Sequence, residues 1–273
     1  MIKFPNAKIN LGLNIVNRRP DGYHDIETVF YPIALTDIVE IVKAKGELST
    51  LTTSGRPVDC PVEKNLVMKA YRSLEKEFNL PPVDIYLRKN IPDGAGLGGG
   101  SSDAASVMLI LNEMFMLNLS KEELAQRAAR LGADCAFFIY NTPMMATGIG
   151  DILSPTEVQL KGKTLLLVKP NVSVPTAVAY SRVTPKPSDI ELTNILSQPI
   201  AEWKNLLKND FEPSVFAAHP ELADIKQQIY DLGAVYASMS GSGSSIFGIF
   251  ESANMAENAK STFAEIDAYV INL

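Results

Sequence analysis

Ile91-Pro92-Asp93-Gly94-Ala95-Gly96-Leu97-Gly98-Gly99-Gly100-Ser101-Ser102-Asp103-Ala104-Ala105 decides the fold of this chain. Five glycines fall between positions 94 and 100, two hydroxyls follow, and a helix-forming run begins. Glycine reaches positive φ at no steric cost, so successive backbone N–H groups can be turned toward one point. The unpaired N–H groups of the helix that follows add positive partial charge at the same place. Such a junction is a cradle for phosphate oxygens.

Working outward, Val83, Ile85 and Leu87 alternate as a strand ahead of the loop, and Ser101 to about Phe115 forms a helix beyond it. Upstream, Leu66, Ala70, Leu74 and Phe78 recur at helical spacing, and Pro81-Pro82 ends that helix. Near the N-terminus Ile9, Leu11, Leu13 and Ile15 alternate with Lys8, Asn10, Gly12 and Asn14. Period two predicts a half-buried strand with Lys8 and Asn10 on one face. Turn chemistry at Arg18 to Gly22 separates it from strands expected at Thr28–Leu35, Asp37–Val42 and, more weakly, Leu48–Thr52.

Downstream, Ser120-Lys121-Glu122-Glu123 is a capping box opening a helix that Gly132 is expected to close. Gly132-Ala133-Asp134 then sets a carboxylate between a helix end and an apolar run. A polar break within 151–162, containing Pro155, divides the chain into expected domains 1–155 and 156–273. The second domain should hold a strand at Thr164–Val168, a short helix at Pro175–Val183 and a proline-interrupted linker at Pro185–Pro199. Helices at 201–207 and 220–232, two strands flanking Ser240–Ser244, a helix at 254–266 and a strand at 268–272 complete it. Strands and helices in irregular order specify an α+β fold.

Composition bounds the function. A hydrophobic content of 46% with 21% charged residues fits a globular chain with a substantial core. The net charge of −6 argues against nucleic acid or an anionic membrane as partner, leaving room for a local basic pocket. Cys60 and Cys135 form no disulfide framework, and with only His24 and His219 they are too few for a structural zinc site. Pro5, Lys8 and Asn10 interrupt any secretory apolar run, and no segment approaches the roughly 18 apolar residues of a membrane span. A cytoplasmic location is expected.

Three familiar phosphate loops can be tried on the glycine stretch. Gly94-x-Gly96-x-x-Gly99 matches the dinucleotide fingerprint in letters, which keeps a nicotinamide-dependent oxidoreductase as one alternative. That fingerprint wants an acidic residue about 20 positions on, after a second strand, where this chain instead begins the capped helix at Ser120. The Walker pattern fails because Gly100 stands where its lysine belongs. The protein-kinase loop fails for want of a His-Arg-Asp segment. Alone, Lys8 could be a solvated strand lysine, Asp134 a capping residue, His24 a loop histidine and Ser240–Ser244 a hairpin turn.

Together they resemble the GHMP small-molecule kinases. Pro5-Asn6-Ala7-Lys8-Ile9-Asn10-Leu11-Gly12-Leu13 is similar to the first motif of that family, Pro92 to Ala105 to the second, and Met239 to Phe247 to the third. They occur in the family's order and span most of the chain. Arg19-Pro20-Asp21-Gly22-Tyr23-His24 and Gly132-Ala133-Asp134 resemble, more narrowly, the members acting on a cytidine-diphosphate-linked sugar alcohol.

The resemblance implies a two-domain GHMP kinase fold, with an N-terminal domain like domain 2 of ribosomal protein S5 and a ferredoxin-like C-terminal domain. It implies ATP as phosphoryl donor, Mg²⁺ with it, and diphosphocytidyl methylerythritol as acceptor, phosphorylated on its 2-hydroxyl in non-mevalonate isoprenoid biosynthesis. A monomer or homodimer without nucleic-acid or membrane partners is expected. Pro92, Asp93, Gly94, Ala95, Gly96, Leu97, Gly98, Gly99, Gly100, Ser101 and Ser102 would wrap the triphosphate. Asp134 would be the base and Lys8 its cation. Asn10, Tyr23, His24, Tyr180, Gly241, Ser242 and Gly243 would hold the acceptor. Ser101, Ser102 and Asp103 are candidate metal ligands. The chain departs from the pattern at Cys135-Ala136, at Asp93 inside the loop, and at Tyr180, where an aromatic without a hydroxyl is usual. A kinase for another alcohol, of homoserine or mevalonate type, and a non-catalytic sensor of the same fold are the remaining alternatives.

Overall fold

A computed structural model describes residues 1–188 and 190–273; position 189, within the stretch expected as a linker, lies outside the described residues. The strands are β1 (Ile2–Lys3), β2 (Asn6–Arg18), β3 (His24–Thr36), β4 (Ile38–Lys43), β5 (Thr50–Gly55), β6 (Val83–Lys89), β7 (Met144–Thr147), β8 (Ile152–Pro155), β9 (Thr164–Lys169), β10 (Tyr236–Met239), β11 (Ile246–Phe250) and β12 (Asp267–Asn272). The helices are α1 (Leu66–Phe78), α2 (Gly99–Met114), α3 (Lys121–Ala129), α4 (Cys135–Tyr140), α5 (Thr176–Ser181), α6 (Leu192–Leu196), α7 (Ile200–Leu206), α8 (Glu212–Ala218), α9 (Pro220–Asp231) and α10 (Ala253–Lys260). Two compact units are formed. The first contains Met1–Ala7, Leu35–Asp93 and Gly98–Thr142; the second contains Lys8–Ala34, Gly94–Leu97 and Pro143–Leu273.

The first unit is built on a four-stranded sheet of order β1-β4-β6-β5. β6 runs antiparallel to β4 and parallel to β5. Val83, Ile85 and Leu87 face inward from β6, and Lys89 falls in the same phase and is buried with them. Asn65 caps α1 by accepting from the Val67 N–H at 2.9 Å, and the helix buries Val67, Ala70, Tyr71 and Leu74. α2 is buried almost all round, from Ser102 through Met108 and at Ile110 and Leu111. Both neighbours of β6 precede the glycine loop, so no parallel strand follows α2 back to β6. The strand–helix–strand unit that dinucleotide binding requires is therefore absent here among the described residues.

The second unit holds two sheets, of order β2-β3-β7-β8 and β10-β11-β9-β12. Leu13, Ile15 and Ile26 from the first pack with Leu166, Val168, Met239 and Phe250 from the second in one apolar core. β9 and β11 are buried on both faces, which is why they read as continuous apolar runs. β2 also departs from half-burial. Its apolar side is buried, and so are Lys8 (3% exposed) and Asn10 (2%) on the polar side.

Several local expectations are corrected. The polar stretch at 151–162 contains an edge strand, β8, paired with β7, and Pro155 is tolerated at its last position because an edge leaves one side unpaired. α3 ends at Ala129 with Arg130 as its C-cap, so Gly132 lies beyond the helix rather than closing it. α6 occupies part of the expected linker, and α4 and α8 form where no helix was expected. No helix among the described residues is long and apolar enough to cross a membrane.

Candidate active site

In the second unit the three motifs meet at the glycine loop. Gly94, Gly96 and Gly98 have φ of 58°, 74° and 71°, a region that favours glycine. The Gly96 position is closed to any side chain, because a Cβ there would lie 1.9 Å from the Ser240 carbonyl oxygen. The carbonyls of three consecutive residues are tied back to protein donors. Ala95 O accepts from the Ser245 N–H at 3.3 Å, and Leu97 O accepts from the Lys8 N–H at 2.9 Å. Gly96 O accepts from Lys8 Nζ at 3.1 Å and from Ser240 Oγ at 2.9 Å. In a planar trans peptide the N–H points opposite to the C=O. The N–H groups of Gly96, Leu97 and Gly98 are thereby turned away from Lys8 and the Ser240 turn. That is the arrangement an anion needs.

Lys8 Nζ also donates to Asn10 Oδ1 at 2.7 Å and lies 5.0 Å from the Phe30 ring centroid. Asn10 Nδ2 donates in turn to Thr28 Oγ1 at 2.9 Å, whose hydroxyl donates to the Gly12 carbonyl at 2.5 Å. These bonds explain how a lysine and an asparagine are buried on a strand face: each polar atom in the chain has a partner. Gly241 approaches the same place, where a Cβ would come within 3.5 Å of Asn10 Oδ1. Ser242 Oγ is 3.2 Å from Thr176 Oγ1 at the start of α5.

His24 and Tyr180 are stacked, with ring centroids 4.8 Å apart and 19° between planes. Phe211 also meets Tyr180, in a T-shaped contact with ring centroids 4.9 Å apart, which braces the Tyr180 ring. Burial, then the neighbouring Arg18 charge, lowers the His24 pKa below its ordinary 6.5. Tyr23 is 61% exposed and stands outside this stack.

The first unit holds the rest. Gly98, in the left-handed region, is the N-cap of α2, and no side chain caps that helix. The N–H groups of its first turn therefore remain available to a ligand. Ser101 is half-buried at that turn, Ser102 is buried, and Asp93 and Gly100 are exposed. Asp134 is half-buried at the N-cap of α4, but its side chain makes no capping bond, which removes capping as its role. Cys135 beside it is fully buried, and burial pushes its thiol up to about 11. Asp103 is not positioned as a metal ligand: Lys89 Nζ holds its Oδ2 at 2.7 Å, and it is 1% exposed. Burial first, then the Asp37 carboxylate, raises its pKa to about 7, against the pull of Lys89. Among the described residues there is no cluster of three or more His, Cys, Asp or Glu able to hold a metal ion.

Sequence reasoning missed Thr28, the Asp37–Lys89 pair and the Asn209–Glu212 segment. Lys89 carried a signal: it continues the inward phase of Val83, Ile85 and Leu87. Asn209 carried none. Its Nδ2 donates to the carbonyls of Met239 at 2.8 Å and Gly241 at 2.9 Å, while Glu212 Oε1 accepts from the Met239 N–H at 2.9 Å. These two residues shape the turn that carries Ser240.

Comparison with known proteins finds relatives over most of the chain. The family model for the GHMP kinases N terminal domain matches residues 65–142, and that for the GHMP kinases C terminal matches 192–266. A 4-diphosphocytidyl-2-C-methyl-D-erythritol kinase of Bacteroides fragilis is 56% identical over 252 residues, 92% of each chain. One from Porphyromonas gingivalis is 46% identical over 96% of each chain. The crystal structure of a 4-(cytidine 5'-diphospho)-2C-methyl-D-erythritol kinase superposes with a TM-score of 0.84 at 33% identity, covering 99% of this chain and 98% of that one. A homoserine kinase from Cytophaga hutchinsonii shares the fold, at a TM-score of 0.68 and 19% identity, with 98% of this chain and 95% of that one covered.

Proposed function

This chain belongs to the GHMP kinase family, and from that membership we propose that it transfers the γ-phosphoryl group of ATP to the 2-hydroxyl of 4-diphosphocytidyl-2-C-methyl-D-erythritol, a step of non-mevalonate isoprenoid biosynthesis. The observation that carries the reading is the run of tied-back carbonyls at Ala95, Gly96 and Leu97, which leaves consecutive loop N–H groups facing away from those anchors, where they can serve an anion. Phosphoryl transfer asks a protein mainly for positioning and charge stabilisation, and a rigid row of donors supplies both.

Residues 92–102 wrap the triphosphate. Asp134, at the N-cap of α4, accepts the proton of the acceptor hydroxyl. Lys8, fixed by Asn10 and the Gly96 carbonyl, offsets negative charge developing on the transferred group. The His24–Tyr180 stack presents an aromatic face and a ring nitrogen to cytosine, as base recognition requires, and Tyr23 closes over from the exposed side. Asn10 and Gly241–Gly243 border the sugar-alcohol end. The Ser101 hydroxyl, at the uncapped first turn of α2, would help hold the Mg²⁺ expected with the nucleotide, which would supply neutralisation of phosphate charge. The division of labour proposed is residues 1–155 for ATP and 156–273 for completing the acceptor site.

Incubation with Mg-ATP and the diphosphocytidyl substrate should release ADP and add one phosphate to the substrate's mass. Turnover of homoserine or mevalonate with equal efficiency would remove the purpose assigned to His24 and Tyr180. Normal turnover by Asp134→Asn would remove the assigned base.

A further inference from the structure

The first unit buries together three ionisable side chains that the transfer reaction does not use. Asp37 is 0%, Asp103 1% and Lys89 7% exposed. Lys89 Nζ donates to Asp37 Oδ2 and, at 2.7 Å, to Asp103 Oδ2. Asp37 Oδ1 accepts from the Asn90 N–H at 2.5 Å and the Ile91 N–H at 2.8 Å, the two residues that lead into Pro92. Asn90 Nδ2 donates to the Thr36 carbonyl at 2.9 Å, so the same junction is bound twice to the end of β3. On the far side Asp103 lies in the first turns of α2, and a Cβ at Gly99 would come 3.3 Å from Lys89 Nζ and 3.0 Å from Ile91. One ammonium thus joins the strand that enters the loop to the helix that leaves it.

Stability does not account for such a group. Buried ion pairs and triads can often be replaced by apolar residues of similar volume with no loss, because desolvation offsets their attraction. What an ion triad provides that an apolar contact does not is directional fixing of atoms. A donor row for phosphate needs that, since a misplacement of about 1 Å costs on the order of 100-fold in rate.

We propose that Asp37, Lys89 and Asp103 are positioning residues for nucleotide binding, setting the spacing between the start of the loop and the first turn of α2. This rests on the reading of residues 92–102 as the ATP site. Replacing the triad by Asp37→Asn, Lys89→Met and Asp103→Leu together removes all three charges at nearly constant volume. Asp103→Asn alone keeps the Lys89–Asp37 pair and serves if the triple variant fails to fold. Calorimetric binding of Mg-ADP and, separately, of cytidine diphosphate is measured on wild type and on each folded variant, with the KM for ATP and for the acceptor.

The expected result is Mg-ADP binding weakened ~10- to 100-fold and a matching rise in KM for ATP, with cytidine diphosphate affinity and acceptor KM within about twofold of wild type. Unchanged Mg-ADP affinity in a folded variant overturns the proposal. So does a parallel loss of both ligands together with a lower melting temperature, which would make the triad merely structural. Wild-type protein that binds no Mg-ADP would instead sink the ATP-site reading itself, an outcome visible before any variant is made.

Discussion

Gly96→Ala is the substitution that most directly tests how the loop is held. Two glycines in the loop share a positive φ, 58° at Gly94 and 74° at Gly96, but differ in what surrounds them. A methyl group at Gly94 meets nothing nearer than Ser173 Oγ at 4.0 Å, so its cost is conformational, roughly 1–2 kcal/mol. At Gly96 the same conformational cost applies, and the methyl would also sit 1.9 Å from the Ser240 carbonyl oxygen and 2.8 Å from its carbon. Both are backbone atoms, so no rotamer change relieves the clash. The loop and the Ser240 turn must part by about 1 Å, which breaks the Ser240 Oγ bond to Gly96 O at 2.9 Å and, as the loop shifts, stretches the Lys8 Nζ bond at 3.1 Å. A neutral hydrogen bond contributes about 0.5–1.5 kcal/mol and a charged one about 1.5–3 kcal/mol. Gly96→Ala should therefore cost about 3–6 kcal/mol in urea unfolding, against about 1–2 kcal/mol for Gly94→Ala. Turnover should fall with it, because Lys8 loses an anchor. Equal destabilisation of the two variants, within about 0.5 kcal/mol, would refute the reasoning.

Three further outcomes are expected. The acceptor KM should rise as pH falls, with its midpoint below the ordinary histidine value of 6.5, because burial lowers the His24 pKa; a midpoint at or above 6.5, or an unchanged profile in His24→Gln, contradicts the cytosine-facing role. Asn209→Ala strands the buried carbonyls of Met239 and Gly241 and should cost about 2–4 kcal/mol by chemical denaturation, with loss well under 1 kcal/mol showing that the Ser240 turn is shaped by something else. In Asp134→Asn, kcat should fall by about 100- to 10,000-fold with KM for ATP little changed, and a fall confined to KM would argue against a base.

The glycine loop, the capping box at Ser120 and the alternation around Lys8 were legible because each is a local rule. A turn conformation, a cap and a period need only neighbours in sequence. The burial of Lys8 and Asn10 was not legible from their own stretch. It depends on Thr28 and Gly96, which lie 18 and 88 residues from their partners. The helix at Cys135–Tyr140 was hidden because six apolar residues fit a strand or a helix equally well. β8 was hidden because an exposed edge strand carries little apolar signal. Asn209 and Glu212 are polar residues in a polar stretch, and only the fold shows that both reach the turn at Met239 to Gly241.

The same contrast explains why the loop's glycines alone misidentify it. Their spacing fits a dinucleotide fingerprint as well as a kinase loop, because positive φ is needed in both. The two differ in what holds the carbonyls. Here Ala95, Gly96 and Leu97 are held by Ser245, by Lys8 with Ser240, and by Lys8 again. All three anchors thus come from a strand near position 8 and the turn at positions 240–245, neither of which a fingerprint spans. Lys8 holds the loop through its backbone N–H and through its side chain, so a Lys8→Met variant removes a charge and an anchor together. Its effect on rate is then larger than charge alone would give, and Gly96→Ala, which disturbs the anchor while leaving the charge in place, separates the two contributions.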